Sequence, residues 1–179
     1  EAEIVFICTP IAAIVSTLQQ IKPFLNPETI VTDVGSVKVE IVRDCCELWD
    51  NFVGGHPMAG TAEQGIEAAQ NDLFVNAPYV LTPTDKTDPE AIALVEEIVS
   101  LLKSKTYIAT PEIHDRAVAW ISHLPVQIGA NLIYSCIQET DLEVLKLAQN
   151  LASSGFRDTS RVGGGNPELG LMMAQYNTE

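Results

Sequence analysis

Ile4-Val5-Phe6-Ile7-Cys8-Thr9-Pro10 is the stretch whose reading decides the fold. A continuous apolar run of this kind is the pattern of a strand buried on both faces. Thr9-Pro10 then reads as the N-cap and first residue of an amphipathic helix running to about Lys22. The same unit repeats outward from there. Thr29-Ile30-Val31-Thr32-Asp33-Val34 is a second strand, and Gly35-Ser36 turns the chain into a helix reaching about Leu48. Asn51-Phe52-Val53 is a short third strand feeding the loop Gly54-Gly55-His56-Pro57-Met58-Ala59-Gly60. Tyr79 to Thr82, a helix from about Pro89 to Leu102, and Lys105 to Ala109 complete this part. Such alternation predicts a parallel sheet with helices on both faces. Ligands of these sheets bind beyond the carboxyl ends of the strands, where Thr9, Ser36 and His56 all fall.

From Pro111 onward the pattern is helical only. Glu112 to Ser122 and Val126 to about Glu139 are two helices separated by Leu124-Pro125. Leu142 to Ser153 is a third, stopped by Gly155 as a C′ glycine. Asn166-Pro167-Glu168 starts a fourth, with Asn166 as N-cap. Residues Val118 to Ile137 are apolar on more than one face, and a homodimer is the natural way to cover them. A dinucleotide fold normally opens with Gly-x-Gly-x-x-Gly after its first strand. No such turn is present here, and Gly163-Gly164-Gly165 follows no strand and reads as a flexible turn. Either the chain lacks a first cofactor-binding half or it never bound a dinucleotide. A start in mid-pattern and an end in mid-helix favour the former.

The 179 residues carry a formal net charge of -14 and are 46 % hydrophobic. That is apolar material enough for one or two compact domains. The charge argues against nucleic acid and against an anionic membrane surface, both of which call for a basic footprint. An anionic small molecule must therefore be held by a few local cations. Cys8, Cys45, Cys46 and Cys136 show no Cys-x-x-Cys spacing, so no metal site is expected. They read as buried free thiols of a cytoplasmic protein. The apolar run from Ala117 to Ile137 is interrupted by Ser122, His123, Pro125, Gln127 and Asn131, and reads as buried helices rather than a membrane span.

Only three histidines and four arginines are present. His56 stands between two glycines and Pro57, as a general base for a substrate hydroxyl or as a histidine that merely bonds its own loop. Ser36 reads as an N-cap whose hydroxyl also reaches the crevice. Asp33 reads as a strand-end carboxylate or as ordinary turn chemistry. Arg157 and Arg161, beside a glycine-rich turn, form an anion site or pair on the surface with Asp158 or Glu168. His114 reads as a surface or capping residue. His123 either lines the crevice or satisfies carbonyls freed where the helix breaks.

Asp33-Val34-Gly35-Ser36-Val37-Lys38, Gly54 to Thr61, Ser122-His123-Leu124-Pro125 and Gly155-Phe156-Arg157-Asp158-Thr159-Ser160-Arg161, in this order, resemble the prephenate/arogenate dehydrogenase family. The match looks cyanobacterial-type and leans toward arogenate with NADP, NAD being the other option. The resemblance implies an α/β fold. Residues 1–110 would be the C-terminal part of a Rossmann-like dinucleotide-binding domain, and 111–179 an all-α dimerisation domain. It also implies oxidative decarboxylation: hydride leaves the ring carbon bearing the hydroxyl for the nicotinamide, carbon dioxide departs, and the ring becomes aromatic. In that picture His56 accepts the hydroxyl's hydrogen bond and Ser36 orients it. Arg161 binds a substrate carboxylate with help from Arg157, Thr61 and Ser122 line the substrate pocket, and Thr9, Pro10 and Ser36 contact the cofactor. Prephenate-using members often carry a second histidine after Ser-His-Leu-Pro and a carboxylate after the loop threonine. Here those positions are Val126 and Ala62, with Glu63 one residue later, which favours arogenate. Two rivals remain. A 6-phosphogluconate or 3-hydroxyacid dehydrogenase type would need a lysine on the first helices, yet Glu112 to Val144 contains none. A non-catalytic dimerisation module that binds an aromatic amino acid is the other.

Overall fold

The computed structural model describes residues 2–61 and 65–178. The chain divides into two compact units between Arg116 and Ala117. The first is built on a five-stranded sheet in the order β1 (Ile4–Ile7), β2 (Ile30–Asp33), β3 (Phe52–Pro57), β4 (Pro78–Thr82) and β5 (Lys105–Ile108). Helices α1 (Ile14–Ile21), α2 (Val39–Leu48) and α3 (Pro89–Leu101) connect or flank the strands. β2 is buried along its whole length, whereas β1, the continuous apolar run expected to be buried on both faces, lies at the sheet edge and is half-buried except at Ile7. Ile30, Val53, Tyr79 and Leu81 of the sheet pack with Ala91, Val95 and Val99 of α3 in one core cluster.

The sheet is parallel except at one seam. β1–β2, β2–β3 and β4–β5 pair in parallel, whereas β3 and β4 pair antiparallel with His56 opposite Val80. Between β3 and β4 the described residues hold only a single 3₁₀ turn, Ile66–Ala68. The connection is long enough for a parallel crossover, which is usually an α-helix, but its described residues hold no α-helix and the chain comes back antiparallel. His56 consequently lies on a strand rather than on the expected loop. Its two preceding glycines serve close approach. A Cβ at Gly54 would fall 2.4 Å from Thr82 Oγ1 and 2.6 Å from Val42 Cγ2, and one at Gly55 would fall 2.7 Å from the Asp33 carbonyl oxygen.

Two expected helix starts move. Pro10, not Thr9, flanks a 3₁₀ turn (Ile11–Ala13) that leads into α1, and no side chain caps it. α2 begins at Val39 rather than beside Ser36. Its first amides are received by a distant side chain, as described below. Asp88, by contrast, caps α3 by accepting the Glu90 N–H at 2.8 Å, a contact worth about 1 kcal/mol. Among the cysteines only Cys45 is fully buried, with Cys46 half-buried and Cys8 and Cys136 exposed; all are free thiols.

After β5 come α4 (Pro111–Val118), a five-residue π-helical stretch (Ala119–His123) and α5 (Leu124–Ile137), with no residues between them. The expected break at Leu124-Pro125 is therefore a π turn. A proline has no N–H and its ring clashes with the carbonyl four residues back, and the wider turn just before Pro125 accommodates both defects. The second unit continues with α6 (Leu142–Leu151), α7 (Ser154–Ser160), a 3₁₀ turn (Arg161–Gly164) and α8 (Pro167–Tyr176). Gly155 lies inside α7 and does not cap α6, which ends at Leu151 with Ala152 as its C-cap. Asn166 caps α8 as expected, its Oδ1 accepting from Glu168 and Leu169. Among the described residues no helix is long and apolar enough to cross a membrane.

Candidate active site

The strongest polar cluster of the first unit lies at the end of β3 where His56 sits. His56 is 7 % exposed, and its Nδ1 is 2.7 Å from Nε2 of His114, itself 2 % exposed on α4. The two rings meet edge to face, with centroids 5.0 Å apart. His114 Nδ1 is in turn 2.7 Å from Asp115 Oδ1. Asp115 also receives α2: its Oδ1 accepts the Lys38 N–H at 2.8 Å and its Oδ2 the Val39 N–H at 2.9 Å. This carboxylate supplies the cap that Ser36 was expected to provide, and places negative charge at the positive end of the helix.

A second buried pair secures the same strand. Lys38 Nζ forms an ion pair with Asp33 Oδ2 and donates to the Gly55 carbonyl at 2.8 Å. Asp33 accepts the Gly35 N–H at 2.8 Å and the Gly55 N–H at 3.1 Å. Burial pushes the Lys38 ammonium below its usual pKa while the Asp33 carboxylate opposes that shift. Asp33 is thus fully engaged inside the fold, and its turn reading holds over that of a strand-end ligand. The backbone that carries His56 is tied to the end of β2 by a charge pair on one side and to α4 by its own ring on the other.

Residues 1–133 match the family model for the prephenate dehydrogenase nucleotide-binding domain, and residues 110–179 the model for the prephenate dehydrogenase dimerization domain. The chain belongs to the prephenate dehydrogenase family. It is 34 % identical to prephenate dehydrogenase of Bacillus subtilis, over all of this chain and 49 % of that protein. With the Lactococcus lactis prephenate dehydrogenase it shares 34 % identity, over 90 % of this chain and 45 % of that one. The chain therefore spans about half the length of the curated relatives it matches. Among solved structures, Synechocystis arogenate dehydrogenase is 61 % identical with a TM-score of 0.85, covering 98 % of this chain and 63 % of that one. Prephenate dehydrogenase from A. aeolicus, in complex with hydroxyphenyl propionate and NAD+, is 29 % identical with a TM-score of 0.91, covering 98 % of this chain and 61 % of that one.

Within this family frame the expected site residues fall into two groups. Thr9, Pro10, Ser36, His56 and Thr61 belong to the first unit, and Ser122, Arg157 and Arg161 to the second. Half-buried Thr9 and exposed Pro10 directly follow β1, and the Thr9 hydroxyl is 3.5 Å from that of Thr17. Ser36 lies on the loop after β2, and its Oγ is buried with no hydrogen-bond partner among the described residues. Tyr79 and Thr82 hydroxyls share that condition, but they sit within β4. An orphaned hydroxyl on a loop at the carboxyl ends of parallel strands fits a polar group brought by a cofactor or substrate. Thr61 is exposed just beyond β3, while Ala62 and Glu63 lie outside the described residues. In the second unit Ser122 is half-buried in the π-helical stretch. Arg157 Nε donates to Asp158 Oδ1 at 3.0 Å on the surface, the pairing weighed against an anion site. Arg161 is exposed on the turn before α8. His123 is buried, with its Nδ1 3.0 Å from the Asn177 amide nitrogen.

His114, Asp115 and Lys38 are the residues that sequence reasoning left without a role. Beyond the local Lys38–Asp33 and His114–Asp115 pairs, their partners are 58, 77 and 17 positions away, so local pattern carries no trace of the contacts that join the elements. The available signal was the His114-Asp115 doublet at the start of a helix in a chain with only three histidines.

Proposed function

We propose that this chain contributes the substrate and nicotinamide ends of an enzyme that oxidatively decarboxylates arogenate to tyrosine with NADP+. The observation that carries the reading is His56, held at the carboxyl end of β3 by a 2.7 Å contact to buried His114. A bound nicotinamide supplies the hydride acceptor. His56 accepts the hydrogen bond of the ring hydroxyl and takes its proton as the neighbouring C–H bond breaks. The bond to the ring carboxylate then breaks, its electron pair completes the aromatic ring, and the proton returns from His56 to the phenolic oxygen. Aromatisation drives the reaction, so the protein's share is orientation and a modest proton acceptor.

Arg161 clamps a substrate carboxylate and Arg157 assists it, as guanidinium forks do. Thr61 and Ser122 line the substrate pocket. Thr9, Pro10 and the Ser36 hydroxyl face the nicotinamide half of the cofactor, Ser36 also steadying His56 or the substrate hydroxyl. Support for arogenate comes from the 61 % identical Synechocystis arogenate dehydrogenase and from Val126 and Ala62. NADP follows the same cyanobacterial-type resemblance. The B. subtilis and L. lactis relatives favour a second reading, prephenate as substrate with 4-hydroxyphenylpyruvate as product.

The deciding experiment follows the absorbance of reduced nicotinamide in the intact protein, with arogenate and prephenate each offered alongside NADP+ and NAD+. Turnover with arogenate and NADP+ is expected, and turnover with prephenate alone moves the assignment to the second reading. A folded protein inactive with all four pairs is a non-catalytic module. In the active enzyme His56→Asn should lower kcat by about 10²- to 10⁴-fold. Arg161→Ala should act chiefly on KM, because it removes binding common to ground and transition states.

A further inference from the structure

A histidine ring nitrogen either donates or accepts, and which of the two His56 presents to a substrate is set by what its other nitrogen does. We propose that His114 and Asp115 are positioning residues that hold the proton of His56 on Nδ1, so that Nε2 faces the substrate as the acceptor. The inference rests on the reading of His56 as the base and adds to it the groups that make it one.

The argument starts at the buried end. An ionised carboxylate can only accept, so at the 2.7 Å contact between His114 Nδ1 and Asp115 Oδ1 the imidazole is the donor. A neutral His114 with its proton on Nδ1 has only a lone pair on Nε2. The 2.7 Å contact from that atom to His56 Nδ1 then requires His56 to donate. One proton per ring satisfies both contacts, and the lone pair of His56 is left on Nε2. In water a neutral histidine side chain favours the opposite tautomer, with its proton on Nε2, so the buried chain of three residues inverts the default.

Burial makes the arrangement firm. His114 and Asp115 are 2 % and 1 % exposed, so water does not compete for these contacts. Asp115 cannot swing away, because its two oxygens also hold the Lys38 and Val39 amides of the α2 start. The backbone on the His56 side is pinned as well, through Lys38 Nζ on the Gly55 carbonyl. When His56 takes a proton its Nδ1–H remains donated to His114, whose own proton points to the Asp115 carboxylate. The new positive charge therefore forms at the head of a hydrogen-bonded path ending in a fixed anion.

The test combines two variants of the intact protein with ring ¹⁵N chemical shifts of labelled histidine at mildly alkaline pH. His56→Asn assigns the His56 signals. The parent should show His56 with its proton on Nδ1. His114→Gln keeps an amide oxygen to accept from His56 and an amide N–H₂ to donate to Asp115, so it should keep that tautomer and a kcat within about tenfold of the parent. His114→Leu has neither group. It should return His56 to the Nε2–H form and lower kcat about 10²-fold, with KM changed far less. A parent whose His56 carries its proton on Nε2, or carries two protons with His114 as acceptor, overturns the proposal. So does His114→Leu with an unchanged tautomer and unchanged kcat. Should His114→Leu fail to fold, the parent spectrum and His114→Gln still decide. A parent that turns over none of the four substrate and cofactor pairs sinks the proposed reaction, whereas the spectra still report the tautomer.

Discussion

Lys38 has no solvent exposure, and its ammonium is held by the Asp33 carboxylate and the Gly55 carbonyl. A buried ion pair is weak evidence for net stability, because desolvation offsets most of the Coulomb attraction. Removing one partner is another matter, since the remaining charge is left uncompensated. Lys38→Met would leave the Asp33 carboxylate with the Gly35 and Gly55 amides as its hydrogen-bond donors among the described residues. It should cost about 3–5 kcal/mol in urea unfolding, and Asp33→Asn in the same background should recover part of the loss. At this scale the sequence was legible where local pattern alone singles a residue out. His56 declared itself through its glycines, and Ser36 through its place after a strand. His114 did not, because beside Asp115 and Arg116 a histidine looks like surface. Its burial is decided by a β3 residue that no local window contains.

Elements were legible where their ends are capped by neighbours in sequence. Asp88 and Asn166 each accept amides two or three residues on, and α3 and α8 start where those residues say. α2 is capped from 76 positions away by Asp115, so its start could not be read locally. The antiparallel seam was hidden for a related reason: strand direction follows from the connection between β3 and β4, whose described residues hold no α-helix, and not from the strands themselves. The helical unit shows a similar dependence on close approach. α5 and the turn Arg161–Gly164 are in contact backbone to backbone, and a Cβ at Gly163 would fall 2.1 Å from both the Ala130 nitrogen and the Gly129 carbonyl carbon. Gly163 is therefore packed, while a Cβ at Gly164 would meet nothing within 4 Å, so the run is only in part the flexible turn its composition suggests. Gly163→Ala should destabilise by about 1–3 kcal/mol, seen as a lower Tm, by forcing α5 and the turn apart. Because Arg161 opens that turn, the same variant should raise KM while kcat stays close to the parent value.

For the molecule as a whole, acidity and apolar surface pull in different directions. A net charge of -14 disfavours association, yet the second unit exposes Tyr134, Ile137, Leu142, Leu147 and Leu151, each at least 58 % accessible. Large apolar side chains in such number on neighbouring helices mark an interface. We expect light scattering to return twice the monomer mass, and Leu147→Asp with Leu151→Asp on α6 to return one. The division into an α/β part and a helical part was readable from periodicity alone. Across that division α4 opens with residues held in the first unit through His114 and Asp115, contacts that periodicity does not show. Asp115 has one more consequence. It binds two α2 amides and one imidazole with a single carboxylate, so heat resistance and turnover draw on the same atoms. A library of variants screened only for survival at high temperature would keep an aspartate at position 115 as stringently as one screened only for product.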